Sequence, residues 1–448
     1  MLTSQQALDY ATDVIARATR AGADGADGVV VSSGSTEVSV RLGKVEDLER
    51  SESGDLGLRV FVGSRSASAS TSDLSRAAID ALVERTVAMA KLAPEDAFAA
   101  LAPVELLATG PFDDFDGNDG VDVEPEMLRL RALEAEDAAR AVAGVTNSEG
   151  GGASHGTGMT AIVTSTGFGA ARGGSSHGVS ASVLAGEGAR MQRDYHSHST
   201  RHLSDLEAAG AIGSEAGRRA VGRLDPARLR SGPMTVVFAP RVSNSLLGHF
   251  AGAINGAAIA RKTSFLIDSL DQPVFAPGIS IIDDPWRRRG MRSRAFDGEG
   301  LPTRPVALVE GGVLKQWIAD VAAARQLGMN PTGHAWRGVS GAPGAGVSNV
   351  HLAAGIVSPA ELIADISDGF YVTELIGMGV SGLTGDYSRG ASGFRIVSGE
   401  IAGPVAEVTI AGNLKNMFAA MIPADDLAFR YATNAPTVRI DGMTLAGD

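Results

Sequence analysis

The densest set of metal-ligand side chains lies in Tyr195-His196-Ser197-His198-Ser199-Thr200-Arg201-His202. Imidazoles at i and i+2 share one face of a strand, so His196 and His198 can reach one metal, with His202 folding back as a third ligand and Asp194 on the same face. That set would serve a metal hydrolase; the plainer reading is a row of histidines on a strand leading into a loop. A second stretch, Leu246-Leu247-Gly248-His249-Phe250-Ala251-Gly252-Ala253, offers one imidazole beside an apolar stripe of Leu246, Leu247, Phe250 and Ile254. The spacing predicts a packed helix, and a lone imidazole cannot hold zinc. Two Gly-x-Ser-x-Gly matches, Gly152–Gly156 and Gly174–Gly178, would need a strand turning at once into a helix to lift the serine, and the second is followed by a strand-like run. Gly167 and Gly169 open a dinucleotide-type loop that fails at Arg172, and the phosphate-loop ending at Lys262 has Arg261 where glycine is needed. Between the glycines of 379–394, Asp386, Tyr387 and Arg389 form either a peptide-contacting rim or an internal turn with an Asp–Arg pair.

The chain that must position these residues has 448 of them, which predicts two or three domains. It has no cysteine, which excludes disulfides, thiolate zinc ligands and a cysteine nucleophile. A formal charge of −13 disfavours general nucleic-acid binding. The one basic run, Trp286 to Arg294, reads as a solvated loop or as a surface for an anionic partner. The N-terminus lacks a signal-peptide pattern and no apolar run reaches membrane-spanning length, so a cytoplasmic protein without membrane contact is expected.

Periodicity sets out the elements. Ala7, Ala11, Val14, Ile15 and Ala18 mark a first helix with Ser4 as its expected cap; strands follow through residue 70, and a helix opens at Ser72-Asp73. After an acidic linker at 103–124 the order repeats: a helix from Glu124, strands in 159–166, 167–173, 177–186 and 189–199, and a helix from Leu203 to Leu224. Residues 1–105 and 125–228 are therefore two α+β domains, architectural duplicates by element order. Residues 229–448 form a β-rich third domain with hairpins at Gly311-Gly312 and Ser398-Gly399. The fold class is α+β: helix–β-meander–helix units followed by a β-rich C-terminal domain.

The stretches TGDYSRGASGF and SGEIAGPVAEVTIAGNLKNMF resemble the TldD/PmbA family, the modulators of DNA gyrase, as do FAPRVSNSLLGHFAGAINGAAIARKTSFLIDSL, GLRVFVGSRSASAST and MQRDY. The resemblance spans most of the chain and favours the PmbA branch, also called TldE. It implies a two-subunit zinc metallopeptidase that trims unfolded or precursor peptides in a closed cavity. The TldD-type subunit carries His-Glu-x-x-x-His and a later cysteine, with the glutamate as general base. Aligned on Leu246-Leu247 and Arg261-Lys262, this chain has Gly248, His249 and Ala253 at the histidine, glutamate and histidine positions. The resemblance thus implies no catalytic residue and no metal in this chain, with zinc in a TldD-type partner. His249, Asp386, Tyr387 and Arg389 are the candidate contacts for unfolded peptide. Arg395 stands where the family pattern leads one to expect tryptophan, and His196 and His198 where it leans aromatic. A homodimer of the isolated chain stays open. The competing readings are an independent metal hydrolase built on His196, His198 and His202, and a non-enzymatic protein that binds gyrase or a toxin.

Overall fold

A computed structural model describes all 448 residues. Helix α1 (Ser4–Arg20) buries the five predicted small and branched residues, but Thr3 caps it instead of Ser4. The Thr3 hydroxyl accepts from Gln6 N at 3.2 Å and the Gln6 side chain accepts from Thr3 N at 2.9 Å, a reciprocal capping box. Strands β1 (Gly25–Arg41), β2 (Lys44–Val62) and β3 (Arg65–Thr71) lead to α2 (Arg76–Leu92), whose cap is Ser75, three residues past the expected opening. The second unit repeats the order with α3 (Pro125–Arg140), β4 (Val145–Thr164), β5 (Gly169–Ala185), β6 (Gln192–Thr200) and α4 (Ala209–Gly222). The predicted helix from Leu203 is thereby split: a single tight turn at Leu203–Asp205 precedes α4.

The two units share one antiparallel sheet in the order β3-β2-β1-β4-β5-β6, joined at its centre by β1 and β4 in the register Val29↔Ile162. Helices α1 and α2 cover one half of a face through Ala11, Val14, Leu82 and Val83, and α3 and α4 cover the other half through Ala135, Ala139, Ile212 and Ala216. The sequence suggests a strand only from Met159, yet β4 begins at Val145 and runs through Gly150-Gly151-Gly152. Glycines show no alternation of polar and apolar side chains; here pairing to both β1 and β5 imposes the extended state. Both Gly-x-Ser-x-Gly matches lie inside paired strands, so neither makes a nucleophile elbow.

Close helix packing explains Gly213. A Cβ there would lie 1.9 Å from Ala135 O and 2.9 Å from Ala139 N on α3. Gly213→Ala should therefore destabilise the fold by about 3 kcal/mol, the cost of forced overpacking. Gly158→Ala, with nothing within 4 Å of the added carbon, should leave stability almost unchanged. Urea denaturation of the two variants checks the contrast.

The third region comprises β7 (Gly232–Phe238), α5 (Pro240–Ala253), α6 (Gly256–Ala260), β8 (Ile281–Asp283), β9 (Val306–Glu310), β10 (Val313–Leu314), α7 (Val321–Leu327), β11 (Ala335–Trp336), β12 (Gly344–Ala345), β13 (Val350–Leu352), α8 (Pro359–Ile363), β14 (Asp368–Val380), β15 (Asp386–Val397), β16 (Glu400–Asn413), α9 (Leu414–Ala419), β17 (Met421–Pro423), β18 (Thr433–Asn434) and β19 (Val438–Ala446). One sheet runs β16-β15-β14-β7-β19-β17, and a further β16–β19 pairing closes five of its strands into a ring. The other runs β10-β9-β8-β13-β18. Both expected hairpin turns form, with positive φ at Gly311, Gly312, Ser398 and Gly399. Helix α5 packs Val242, Leu246, Leu247 and Phe250 into the core, where Phe275 stacks on Phe418 at 4.5 Å. The face of the N-terminal sheet that carries no helix meets this region through Val29, Ile162, Phe168 and Phe296. No helix is long and apolar enough to cross a membrane.

Candidate functional site

Helix α5 follows the pattern read from its stripe: the apolar side is buried, while Gly248 and Gly252 face outward with nothing within 4 Å of a built Cβ. His249 is half-buried between these faces. Its ring meets Tyr387 of β15 edge-on, with centroids 6.0 Å apart. His249 Nε2 and Tyr387 Oη are both buried without a hydrogen-bond partner. Burial, then the neighbouring Arg389 charge, holds the His249 imidazole below its usual range, and burial pushes the Tyr387 phenol up. Arg389 donates from Nε to Ile376 O at 3.3 Å. The structure thus gathers His249, Tyr387 and Arg389.

Asp386 points elsewhere. It accepts from Thr384 Oγ1 at 2.7 Å and Asn413 Nδ2 at 3.1 Å, which ties the turn before β15 to the end of β16. The Asp386–Arg389 pair that the sequence allowed does not form. Arg395, at the expected tryptophan position, makes a two-pronged ion pair with Asp368 at 2.8 and 2.9 Å on the surface.

The donor set on α5 does not suit zinc. Gly248 brings no side chain, Ala253 a buried methyl, and His249 one imidazole directed at a phenol. The histidines of β6 do not converge either. His202 Nε2 lies 2.9 Å from Asp116 O, and His198 Nδ1 accepts from Glu207 N at 3.1 Å. His196 Nε2 sits 3.7 Å from the Glu207 carboxylate and 3.4 Å from Arg430 Nη2. Nowhere do three His, Asp or Glu side chains come together in a metal-holding group. The three-imidazole centre allowed by the i, i+2 spacing is not assembled, because His202 lies past the end of β6 and is drawn to the linker.

His196 lines a charged cavity of about 570 Å³ between β6, α4 and the start of α5. Burial, reinforced by Arg219 and Arg430, pulls it down to about 4, against opposing pulls from Glu207 and Glu215. A base whose folded pKa lies below its unfolded value loses stability as acid charges the unfolded chain first. Stability should therefore fall as pH drops from about 6.5 towards 4. His196→Gln should reduce the loss of unfolding free energy between pH 7 and pH 5 by about 2 kcal/mol. Denaturation curves at the two pH values check this, and equal losses in both proteins would contradict it.

A cleft on the helix-free face of the N-terminal sheet could not be foreseen from the sequence. One chamber of about 530 Å³ lies over Ser33, Gly158 and Gly174; a neighbouring one of about 480 Å³ lies beside Gly252 of α5. Arg292 and Trp336 line both, so the two adjoin. Residues 291–294 of the basic run line the cleft, while Arg288 and Arg289 lie outside it and stay exposed. Arg287 stacks on Phe429 at 3.3 Å, Arg288 and Arg289 pair with Asp116 at 3.0 and 2.7 Å, and Arg294 is buried against Trp336 at 3.9 Å. The only signal in the sequence was the density of arginines in that run.

A strand-rich barrel whose buried helix carries a small-residue outer face, preceded by a duplicated helix–meander–helix sheet, is the scaffold of a metallopeptidase family. Residues 26–90, 118–224 and 231–447 match, in order, domain 1, the central domain and the C-terminal domain of the PmbA/TldA metallopeptidases, and the chain belongs to that PmbA/TldD family. It is 36% identical over 428 residues to Metalloprotease PmbA of Escherichia coli O157:H7, covering 95% of this chain and 92% of that protein. Its structure is similar to that of a protein from Bacteroides thetaiotaomicron described as a candidate modulator of DNA gyrase, with a TM-score of 0.92, 25% identity and full coverage of both chains. It shares the fold of TldE from Thermococcus kodakarensis, with a TM-score of 0.87 and 20% identity over 98% of this chain and all of that one.

Proposed function

We propose that this chain is the PmbA/TldE-type subunit of a cytoplasmic TldD/TldE metallopeptidase, acting on unfolded or precursor peptides. In this reading it has no zinc centre of its own, and a TldD-type subunit supplies the metal. The observation that carries the proposal is the state of α5: glycine, imidazole and methyl stand at positions 248, 249 and 253, on a helix whose outer face is open. A water cannot be polarised there without ligands to hold a cation.

What remains for this chain is to complete the chamber and hold substrate. The helix surface at Gly248 and Gly252 lets a backbone approach closely, and the sheet ends in edge strands β3 and β6 to which an extended peptide could add. His249, Tyr387 and Arg389 lie beside the same helix, with His249 and Arg389 positioned to present a neutral imidazole and a fixed cation. The experiment is a cleavage assay on an unfolded peptide with the chain alone, a zinc-bearing TldD-type subunit alone, and the mixture. Zinc-dependent cleavage by the chain alone would overturn the proposal.

A further inference from the structure

Four arginines, Arg172, Arg201, Arg292 and Arg294, line the larger chamber, and none forms a salt bridge within the chain. Arg294 is 2% exposed; it spends Nη1 on Ala335 O at 3.1 Å and leaves Nε and Nη2 buried without partners. Arg201 bonds Ser175 O and Met291 O through its terminal nitrogens and leaves Nε unpartnered. The guanidinium carbons of Arg172, Arg292 and Arg294 stand 5.8, 5.7 and 3.9 Å from the Trp336 ring centre. Burial, then repulsion from Arg172, pulls Arg294 down to about 9.

Asp297 attracts Arg172 and Arg294 through space, and Asp283 attracts Arg294, but neither forms a salt bridge with them. Asp297 accepts backbone N–H groups of Glu299, Leu301 and Ala335, and Asp283 accepts Ser348 N through both oxygens. At the mouth, Asp113 and Asp114 accept from the backbone of Phe115 and Asp116 at 2.6 and 2.9 Å. Burying the Arg294 guanidinium without a salt bridge beside the partly buried Arg172 and Arg201 is costly unless an anion completes the group.

We propose that this chamber binds the terminal carboxylate of a peptide, gripped by Arg292 and Arg294 with Arg172 and Arg201 at its sides. A guanidinium fork matches the two oxygens of a carboxylate. The floor admits an extended chain at Ser33 and Gly158, where no atom lies within 4 Å of a Cβ built on Gly158, while Gly174 beside them is covered by Gly117 O and the Arg201 guanidinium. Phe296 and Trp336 offer apolar walls for the last side chain, and the smaller chamber carries the preceding residues towards α5. The carboxylates of Asp113 and Asp114 at the mouth work against a phosphate dianion more than against a singly charged terminus. The choice of a peptide as the bearer of that carboxylate rests on the proposed function, whereas the anion site rests on the arginines.

Isothermal titration of the purified full chain with tetra-alanine as free acid, tetra-alanine amide and inorganic phosphate tests the inference. The free acid should bind, the amide at least about tenfold more weakly, since loss of one charged two-pronged contact is worth that much. Arg292→Gln, at an exposed position, should weaken the free acid by a similar factor, as should Arg294→Met. Equal binding of acid and amide, binding of phosphate alone, no binding of the acid, or acid binding unchanged in both variants would overturn it. Because the titration uses this chain without a partner, its failure leaves the cleavage assay of the mixture intact as a separate test of the proposed function.

Discussion

Asp27→Ala should cost the folded protein about 3–5 kcal/mol, the loss expected when a buried ion pair is broken from one side. Asp27 lies on β1, 4% exposed, and holds two arginines at once. Arg59 Nε of β2 donates to Oδ2 at 2.5 Å. Arg337, from the C-terminal region, donates from Nε to Oδ1 at 3.1 Å, with Nη2 at 3.0 Å as a further ion contact. Glu299 stands 3.9 Å from Arg59, at the limit of an ion contact, and burial, aided by Asp297, pushes it up to about 8, so it is a weaker counter-charge than Asp27. Removing Asp27 therefore leaves Arg337 without a carboxylate contact and Arg59 with the distant Glu299 alone. The network also joins the N-terminal sheet to the C-terminal region, and Gly57 beside it is so close to Val339 O that a Cβ would lie 2.1 Å away. Urea unfolding followed by circular dichroism should show the full loss as one transition displaced to lower urea. A change below about 1 kcal/mol, the range of an exposed pair, would contradict this role for Asp27.

The second large effect concerns catalysis. Mixing this chain with a zinc-bearing TldD-type subunit should raise cleavage of an unfolded peptide at least about tenfold above that subunit alone, equivalent to about 1.4 kcal/mol of barrier. The chain alone should show no zinc-dependent cleavage. The gain is positional: a surface that holds an extended peptide lowers the entropy of reaching a reactive centre even when it contributes no reacting group. Size-exclusion chromatography of the mixture, run with the assay, should place both chains in one peak. An unchanged rate in a mixture that does co-elute would refute the positioning role.

Local patterns were legible in the sequence where neighbouring side chains decide the structure. The stripe Ala7, Ala11, Val14, Ile15 and Ala18 is buried as its period requires, and the Gly311-Gly312 and Ser398-Gly399 turns close their hairpins. The first half of β4 was hidden because Gly150-Gly151-Gly152 displays no alternation, and only the strands on either side make it extended. The gathering of His249 with Tyr387 and Arg389 joins residues far apart in the chain; residue types drew attention to each stretch separately, and nothing in their spacing showed that they meet. The arginine cleft was invisible for a related reason. Its walls come from β1, β4, β5, Arg201, the run at 291–296 and Trp336, and a basic run looks solvated until the element that buries Arg294 is known. The triple-histidine motif misled because strand register places His196 and His198 on one face but says nothing about His202, which follows the linker to Asp116.

Whether this chain holds zinc by itself is decided by its metal content. The chain should be purified without chelator, equilibrated with a small excess of zinc, freed of loose metal by gel filtration and assayed by elemental analysis. Far less than one zinc per chain is expected, with the same residual content in His249→Ala and His198→Ala. One tightly held zinc per chain that disappears in either variant would contradict a chain without a metal centre.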